Sequence, residues 1–179
     1  MTICRVSGEI QRSQGIQKMT SEPISKNPKH LNPGTIYLDV CALCRPYDVQ
    51  AFLRIRMETD AVNLILANVI RKRYRLIVSP IHFKEIADIS DAVERVQMRL
   101  LLTETGVRPI ADMQAVRQRA EELFNMNFGA ADAAHVAFAE YSSASFISCD
   151  DKLIKLCLSR SVAIWCGNPV AFCEMEGLK

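Results

Sequence analysis

Aromatic residues are scarce, and neither sign of charge dominates. They make up 7% of 179 residues, with Trp165 the single tryptophan. No stacking platform for single-stranded bases is therefore expected, and Trp165 is read as core or interface packing. Lys and Arg number 22 against 20 Asp and Glu, a formal net charge of +2. That balance excludes a strongly basic nucleic-acid coat and an acidic disordered tail. No uninterrupted apolar stretch approaches the length that crosses a bilayer, so no membrane partner is expected. There is no glycine-rich phosphate loop, no internal repeat and no Asn-Gly hairpin signal. The 7 cysteines are odd in number. Cys41 and Cys44 form a CxxC without the second ligand pair of a structural zinc site. The others sit in apolar runs such as Leu156-Cys157-Leu158, and no signal-peptide core precedes them. A reducing, cytoplasmic setting is expected rather than a disulfide framework.

What is present is one core's worth of apolar residues, 49% of the chain. Residues 1–34 carry five basic groups and two acidic ones, for +3, and are rich in Ser, Gln, Pro and Gly. They read as a flexible basic N-terminal extension, and residues 35–179 as the folded domain. Thr35 to Asp39 is a β-prone run entered through Asn32-Pro33-Gly34. The spacing of Phe52, Ile55, Val62, Ile65, Leu66, Val69 and Ile70 predicts a helix from about Val49 to Arg73. Strand follows at Tyr74–Val78, then helices over 81–89 and 91–102, and a brief strand over 107–110. Asp112 is placed to cap a helix toward Leu123. An Ala-rich helix spans 130–141, a strand 145–148, a short helix 153–158, a strand 162–165, and Asn168-Pro169 opens a last helical turn. Strands alternating with helices predict a three-layer α/β/α sandwich around a mainly parallel sheet. Its strand C-termini then share one edge, where such sheets keep their sites.

Four acids from four segments fall toward that edge. Asp39 ends the first strand, Glu85 lies early in the helix after the second, Asp132 sits in the first turn of the Ala-rich helix, and Asp150 follows Phe146-Ile147. Singly, each has a plain alternative as a cap, a first-turn acid or a solvated helix residue. Together they form a like-charged cluster, which either shares protons or binds a cation. Hard carboxylate oxygens suit Mg²⁺ or Mn²⁺, and the matching chemistry is phosphodiester hydrolysis.

The segments Ile36-Tyr37-Leu38-Asp39, Ser79-Pro80-Ile81-His82-Phe83-Lys84-Glu85, Gly129-Ala130-Ala131-Asp132-Ala133-Ala134-His135 and Ser148-Cys149-Asp150 resemble, in order and context, those of the PIN domain, the fold of VapC-type toxins and related nucleases. The likeness covers about 35–172. It implies a Mg²⁺- or Mn²⁺-dependent endoribonuclease with Asp39, Glu85 and Asp132 as principal metal ligands and Asp150 assisting. It further implies that Ser148 hydrogen-bonds within the carboxylate cluster and that water, not a side chain, is the nucleophile. Cleavage then leaves a 3′-hydroxyl and a 5′-phosphate. A toxin-like member implies RNA as substrate, an antitoxin partner and a homodimer. The family often has Thr or Ser and then Asn after its first Asp. Here Val40 and Cys41 follow, so a polar contact to Asp39 is expected to be missing.

Arg45 and Arg54 are candidate phosphate-binding residues, with an Arg54–Glu58 pair at i,i+4 the routine alternative for Arg54. His82 and His135 are expected to be packed, hydrogen-bonded histidines, and Cys149 to point away from Ser148 and Asp150. Two other functions compete: a PIN-like RNA-binding or protein-interaction scaffold without catalysis, and a structure-specific DNA nuclease. The second is disfavoured by the lack of a basic duplex-reading helix.

Overall fold

The strand Gly34–Leu38 (β1) alternates its side chains between two cores. Ile36 and Leu38 enter one apolar cluster and Tyr37 the other, as the period-2 geometry of a strand requires. In this computed structural model, which describes residues 34–109, 111–160 and 162–179, the same division runs through the whole sheet. Tyr74–Ile77 (β2) sends Tyr74 and Leu76 to the first cluster and Ile77 to the second. Ser145–Ile147 (β4) sends Ile147 to the first and Phe146 to the second. Gly106–Val107 (β3) and Cys166–Gly167 (β5) complete five strands in the order β3-β2-β1-β4-β5, with every pairing parallel. A sheet buried on both faces is a three-layer α/β/α sandwich, as the alternation of elements predicted.

Helix Leu53–Ile70 (α2) covers one face with Val62, Ile65 and Val69, joined by Met98 and Leu102 of Ala92–Thr105 (α4) and Phe172 of Pro169–Glu176 (α8). Helices Met113–Asn125 (α5), Ala130–Tyr141 (α6) and Asp151–Ser159 (α7) cover the other through Val116, Leu123, Val136 and Leu153. Small side chains at Ala133, Ala137 and Ala139 are buried there, letting α6 lie close to the sheet. Helix Pro80–Ala87 (α3) leaves the end of β2 and carries Glu85 to the rim. Chain crossovers run to opposite sides of β1, so the C-terminal ends of β1 and β4 form the crevice in which such sheets place ligands.

Several boundaries differ from the periodicity. The helix expected from Val49 starts at Leu53; residues 49–52 form a loop that follows Val40–Leu43 (α1) and a 3₁₀ turn at Arg45–Tyr47. Residues 44–52 are stitched locally: Gln50 Nε2 donates to the Arg45 and Asp48 carbonyls, and Thr59 Oγ1 also reaches that of Arg45. The same helix ends at Ile70, short of the expected Arg73. Lys72 takes a left-handed φ of 62°, and the Arg73 amide turns back to the Asn68 carbonyl, the role a C-terminal glycine commonly fills. The strand expected over 162–165 pairs only through the Trp165 carbonyl, which accepts from the Phe146 amide at 2.8 Å; the ladder proper lies at Cys166–Gly167. Gly167 permits this, since a Cβ there would lie 2.5 Å from the Trp165 ring. The third strand, expected over 107–110, lies at Gly106–Val107, and residue 110 lies outside the described residues. The basic segment 1–34 lies outside the described residues except for Gly34. Among the described residues there is no disulfide: Cys41, Cys44, Cys149, Cys157, Cys166 and Cys173 are free thiols. No described helix is long and apolar enough to cross a membrane.

Candidate metal centre

Asp39 is the first residue beyond β1. Its amide donates to the Ile147 carbonyl at 2.8 Å, which extends the β1–β4 ladder by one residue and fixes the carboxylate over the crevice. Asp39 is 7% exposed. Its Oδ2 accepts from the Ser148 hydroxyl at 2.8 Å and from the Cys41 thiol at 3.0 Å, leaving Oδ1 facing His135 Nε2 at 3.9 Å. Ser148 Oγ in turn accepts from the Asp150 amide at 3.0 Å, and Cys41 Sγ from the Cys149 amide at 3.3 Å. Burial first, and then the charge of Asp39, push the Cys41 thiol far up in pKa, so it stays protonated and donates. The polar contact expected to be missing after Asp39 is therefore present, supplied by Cys41.

Glu85 stands one turn into α3, and its Oε2 lies 3.1 Å from His135 Nε2. That hydrogen bond lowers the Glu85 pKa, opposed by partial burial. The ligand-capable atoms of Asp39, Glu85 and His135 lie within 4.8 Å of one another. His135 is 1% exposed, and its Nδ1 meets the Tyr37 hydroxyl at 2.7 Å. Tyr37 continues to Ser79 Oγ at 2.6 Å; Ser79 N and Oγ approach His82 Nδ1 at 3.1 and 3.2 Å; His82 Nε2 donates to the Leu38 carbonyl at 2.8 Å. Burial, followed by the neighbouring His135, lowers His82 to about 4, so it is neutral. Ser79 and His82 also cap α3 reciprocally, with His82 in the place that a capping box gives to Glu or Gln. Both histidines are packed and hydrogen-bonded, as expected. What the residue types did not reveal is that His135 also faces the acids. The available signal was its i,i+3 spacing from Asp132, which puts the two on neighbouring positions of one helix face.

Asp132 and Asp150 stand outside the 4.8 Å group but within its field. Burial raises the Asp132 pKa, then the charges of Asp39 and Asp150; Glu85 adds to the rise and His135 opposes it. Three neighbouring acids thus act on Asp132, as like charges around one crevice do. A Cβ on Gly129 would lie 2.7 Å from Asp132 Oδ2, so the glycine leaves that carboxylate its room. Asp150 Oδ1 caps α7, accepting from the Lys152 and Leu153 amides at 2.7 and 3.2 Å. Asp151 turns the other way, into a bidentate pair with Arg54 at 2.6 and 2.7 Å. Arg54 Nε also holds Glu58 at 2.8 Å. Arg45 pairs with Asp48 at 2.8 Å, and its Nε lies 2.9 Å from Glu58 Oε2, near enough to attract but off line for a hydrogen bond. Both candidate phosphate-binding arginines are therefore engaged by acids of the chain. Cys149 is buried in the first core cluster, away from the carboxylates.

The donor set is chemically suited to a divalent cation that accepts oxygen and imidazole ligands, such as Mg²⁺ or Mn²⁺. No thiolate competes, because Cys41 keeps its proton. A groove of about 900 Å³ opens on the same edge beside α3, lined by Ser79, Phe83, Arg99, Arg108 and Met113 among others.

No family model matches the chain, and no curated protein does. Among solved structures the chain is similar to one described as the crystal structure of FitAcB from Neisseria gonorrhoeae, at 17% identity and a TM-score of 0.48, covering 75% of this chain and 97% of that one.

Proposed function

We propose that the chain is a divalent-metal-dependent endoribonuclease of PIN type. The convergence of Asp39, Glu85 and His135 within 4.8 Å at the C-terminal edge of a parallel sheet carries this reading. Asp39, Glu85 and Asp132 would hold the cation, with Asp150 contributing to its field. Bound there, Mg²⁺ or Mn²⁺ would lower the pKa of water and neutralise charge on the phosphate. Ser148 and Cys41 bind one oxygen of Asp39 and leave the other oriented toward the site. Asp132, with its raised pKa, adds the negative charge that makes the crevice attractive to a cation. Arg99 and Arg108 line the adjoining groove, Arg108 lying over the Phe83 ring at 5.0 Å. Neither has an acidic partner among the described residues, so they suit the RNA backbone better than Arg45 and Arg54, which must first release Glu58, Asp48 or Asp151. The exposed apolar residues Val49, Phe52, Leu53 and Met57 around the start of α2 support a protein partner, either an antitoxin or a second copy of the chain.

The test is cleavage of a panel of labelled RNAs with Mn²⁺ or Mg²⁺, beside EDTA and Asp39→Asn controls, with Mn²⁺ calorimetry on the same samples. Metal-dependent cutting lost in Asp39→Asn is expected. Neither cutting nor metal binding would sink the enzyme reading and leave a scaffold.

A further inference from the structure

We propose that His135 is a nitrogen ligand of the cation, and that a buried chain of hydrogen bonds holds its Nε2 lone pair toward Asp39 and Glu85. The inference rests on the metal reading above and concerns residues outside its four acids.

The Leu38 carbonyl can only accept, so His82 Nε2 must carry a proton. The Ser79 amide can only donate, so His82 Nδ1 must be the acceptor. Two backbone groups of fixed polarity thus set the His82 tautomer. Ser79 Oγ lies 3.2 Å from the same Nδ1, and donating there leaves it free to accept from Tyr37 at 2.6 Å. The single Tyr37 proton is then committed, so the phenol oxygen accepts from His135 Nδ1–H across 2.7 Å. With its proton on Nδ1, a neutral His135 presents a lone pair at Nε2. That lone pair lies 3.1 Å from Glu85 Oε2 and 3.9 Å from Asp39 Oδ1. In this arrangement Nε2 and Glu85 Oε2 are two acceptors 3.1 Å apart, which a cation between or beside them would reconcile.

The opposite polarity also exists. Ser79 can donate to Tyr37 and Tyr37 to His135 Nδ1, whose Nε2–H then donates to Glu85. This arrangement leaves the Ser79 Oγ–His82 contact without a proton. The first satisfies every contact from Leu38 to His135 Nδ1 and leaves the Nε2–Glu85 contact to a cation. Rotation of two hydroxyl protons and a change of His135 tautomer interconvert them, so a cation selects the first. An imidazole ligand also favours Mn²⁺ over Mg²⁺ more than carboxylates alone would, and its orientation by a partner on the far nitrogen is a common device of metal-bound histidine.

Pulsed electron paramagnetic resonance of Mn²⁺ bound to the full chain tests this directly, in natural-abundance and ¹⁵N-histidine-labelled protein. The expected result is a histidine nitrogen coupling that changes with the isotope and disappears in His135→Ala, whose Mn²⁺ affinity falls roughly tenfold or more while Mg²⁺ affinity falls less. In Tyr37→Phe the coupling persists and Mn²⁺ affinity drops by about tenfold; an unchanged affinity overturns the role of the chain. Mn²⁺ binding without a histidine coupling, or a coupling that survives in His135→Ala, overturns the ligand assignment and leaves the metal site standing. Absence of Mn²⁺ binding to the wild type overturns both. If His135→Ala does not fold, the isotope comparison in the wild type still decides whether histidine is a ligand, and Tyr37→Phe tests His135 itself.

Discussion

Replacing Ser148 with alanine separates a carboxylate that is held by its neighbours from one that merely lies near them. Ser148 is 0% exposed and serves two partners, donating to Asp39 Oδ2 at 2.8 Å and accepting from the Asp150 amide at 3.0 Å. Losing a hydrogen bond to a charged group costs about 1.5–3 kcal/mol, and leaving a part-buried amide without its acceptor adds about 1 kcal/mol. Asp39 keeps the Cys41 thiol, a weaker donor on the same oxygen. The net expectation for Ser148→Ala in metal-free protein is a loss of about 3 kcal/mol, or roughly 6–12 °C in Tm for a chain of this size. Cys41→Ala should cost about 1 kcal/mol. Because both donors share one acceptor, the double variant should depart from additivity by at least about 0.5 kcal/mol. Urea unfolding of the three variants, followed by circular dichroism at constant m-value, provides the measurement. A Ser148→Ala loss below about 1 kcal/mol, or smaller than that of Cys41→Ala, would refute the reasoning that Ser148 is the principal support of Asp39.

Gly129→Ala is expected to push the Asp132 carboxylate aside, since the new Cβ would meet Oδ2 at 2.7 Å. Mn²⁺ calorimetry should show weaker binding by about tenfold, with a melting change near 1 kcal/mol. Asp132→Asn should stabilise metal-free protein at neutral pH by up to about 1 kcal/mol, because burial and neighbouring acids raise the Asp132 pKa. A carboxyl whose folded pKa lies above its unfolded value opposes folding when ionised, so this gain should vanish as pH falls through the carboxylate range. Glu85 has the opposite sign: its folded pKa is lowered, so its contribution is full above the unfolded carboxylate pKa and is lost as pH falls through the folded one. Melting curves of Asp132→Asn and Glu85→Gln across that range check both signs. Glu58→Gln should destabilise by about 2 kcal/mol, less than the full penalty for a broken buried pair. Glu58 is 2% exposed, while Arg45 retains Asp48 and Arg54 retains Asp151; thermal melts that move by less than about 0.5 kcal/mol would contradict this.

The strands and most helices were legible because their signals are local. Ile36-Tyr37-Leu38, Leu76-Ile77-Val78 and Phe146-Ile147 are short apolar runs bounded by turn residues, and Asp91 and Asp112 cap the helices they precede. That Asp39 and Glu85 meet at one edge followed from parallel topology, since strand ends and helix starts share it. Features that depend on tertiary partners were not legible. Cys41 reads as a small apolar residue until the Asp39 carboxylate is placed beside it, and His135 reads as a core residue until Tyr37 occupies its far nitrogen. Residues 49–52 were expected to open the long helix, but Gln50 bonds back to the Arg45 and Asp48 carbonyls and the segment is a loop. Val162 and Ile164 had strand composition and packed against the second cluster without entering the ladder.

The central position of β1 has a consequence for synthesis. Its register partners in β2 lie about forty residues downstream and those in β4 more than a hundred, and the Ser148–Asp39 bond spans 109 positions. Contacts of such long range form late, and a growing chain holds Asp39 on an unpaired edge until β4 has left the ribosome. The acid-lined crevice therefore comes into existence only after the more than one hundred residues between β1 and β4 have been made. For a chain whose proposed substrate is RNA, that order of assembly keeps the site unformed beside the ribosome and its message until β4 has emerged.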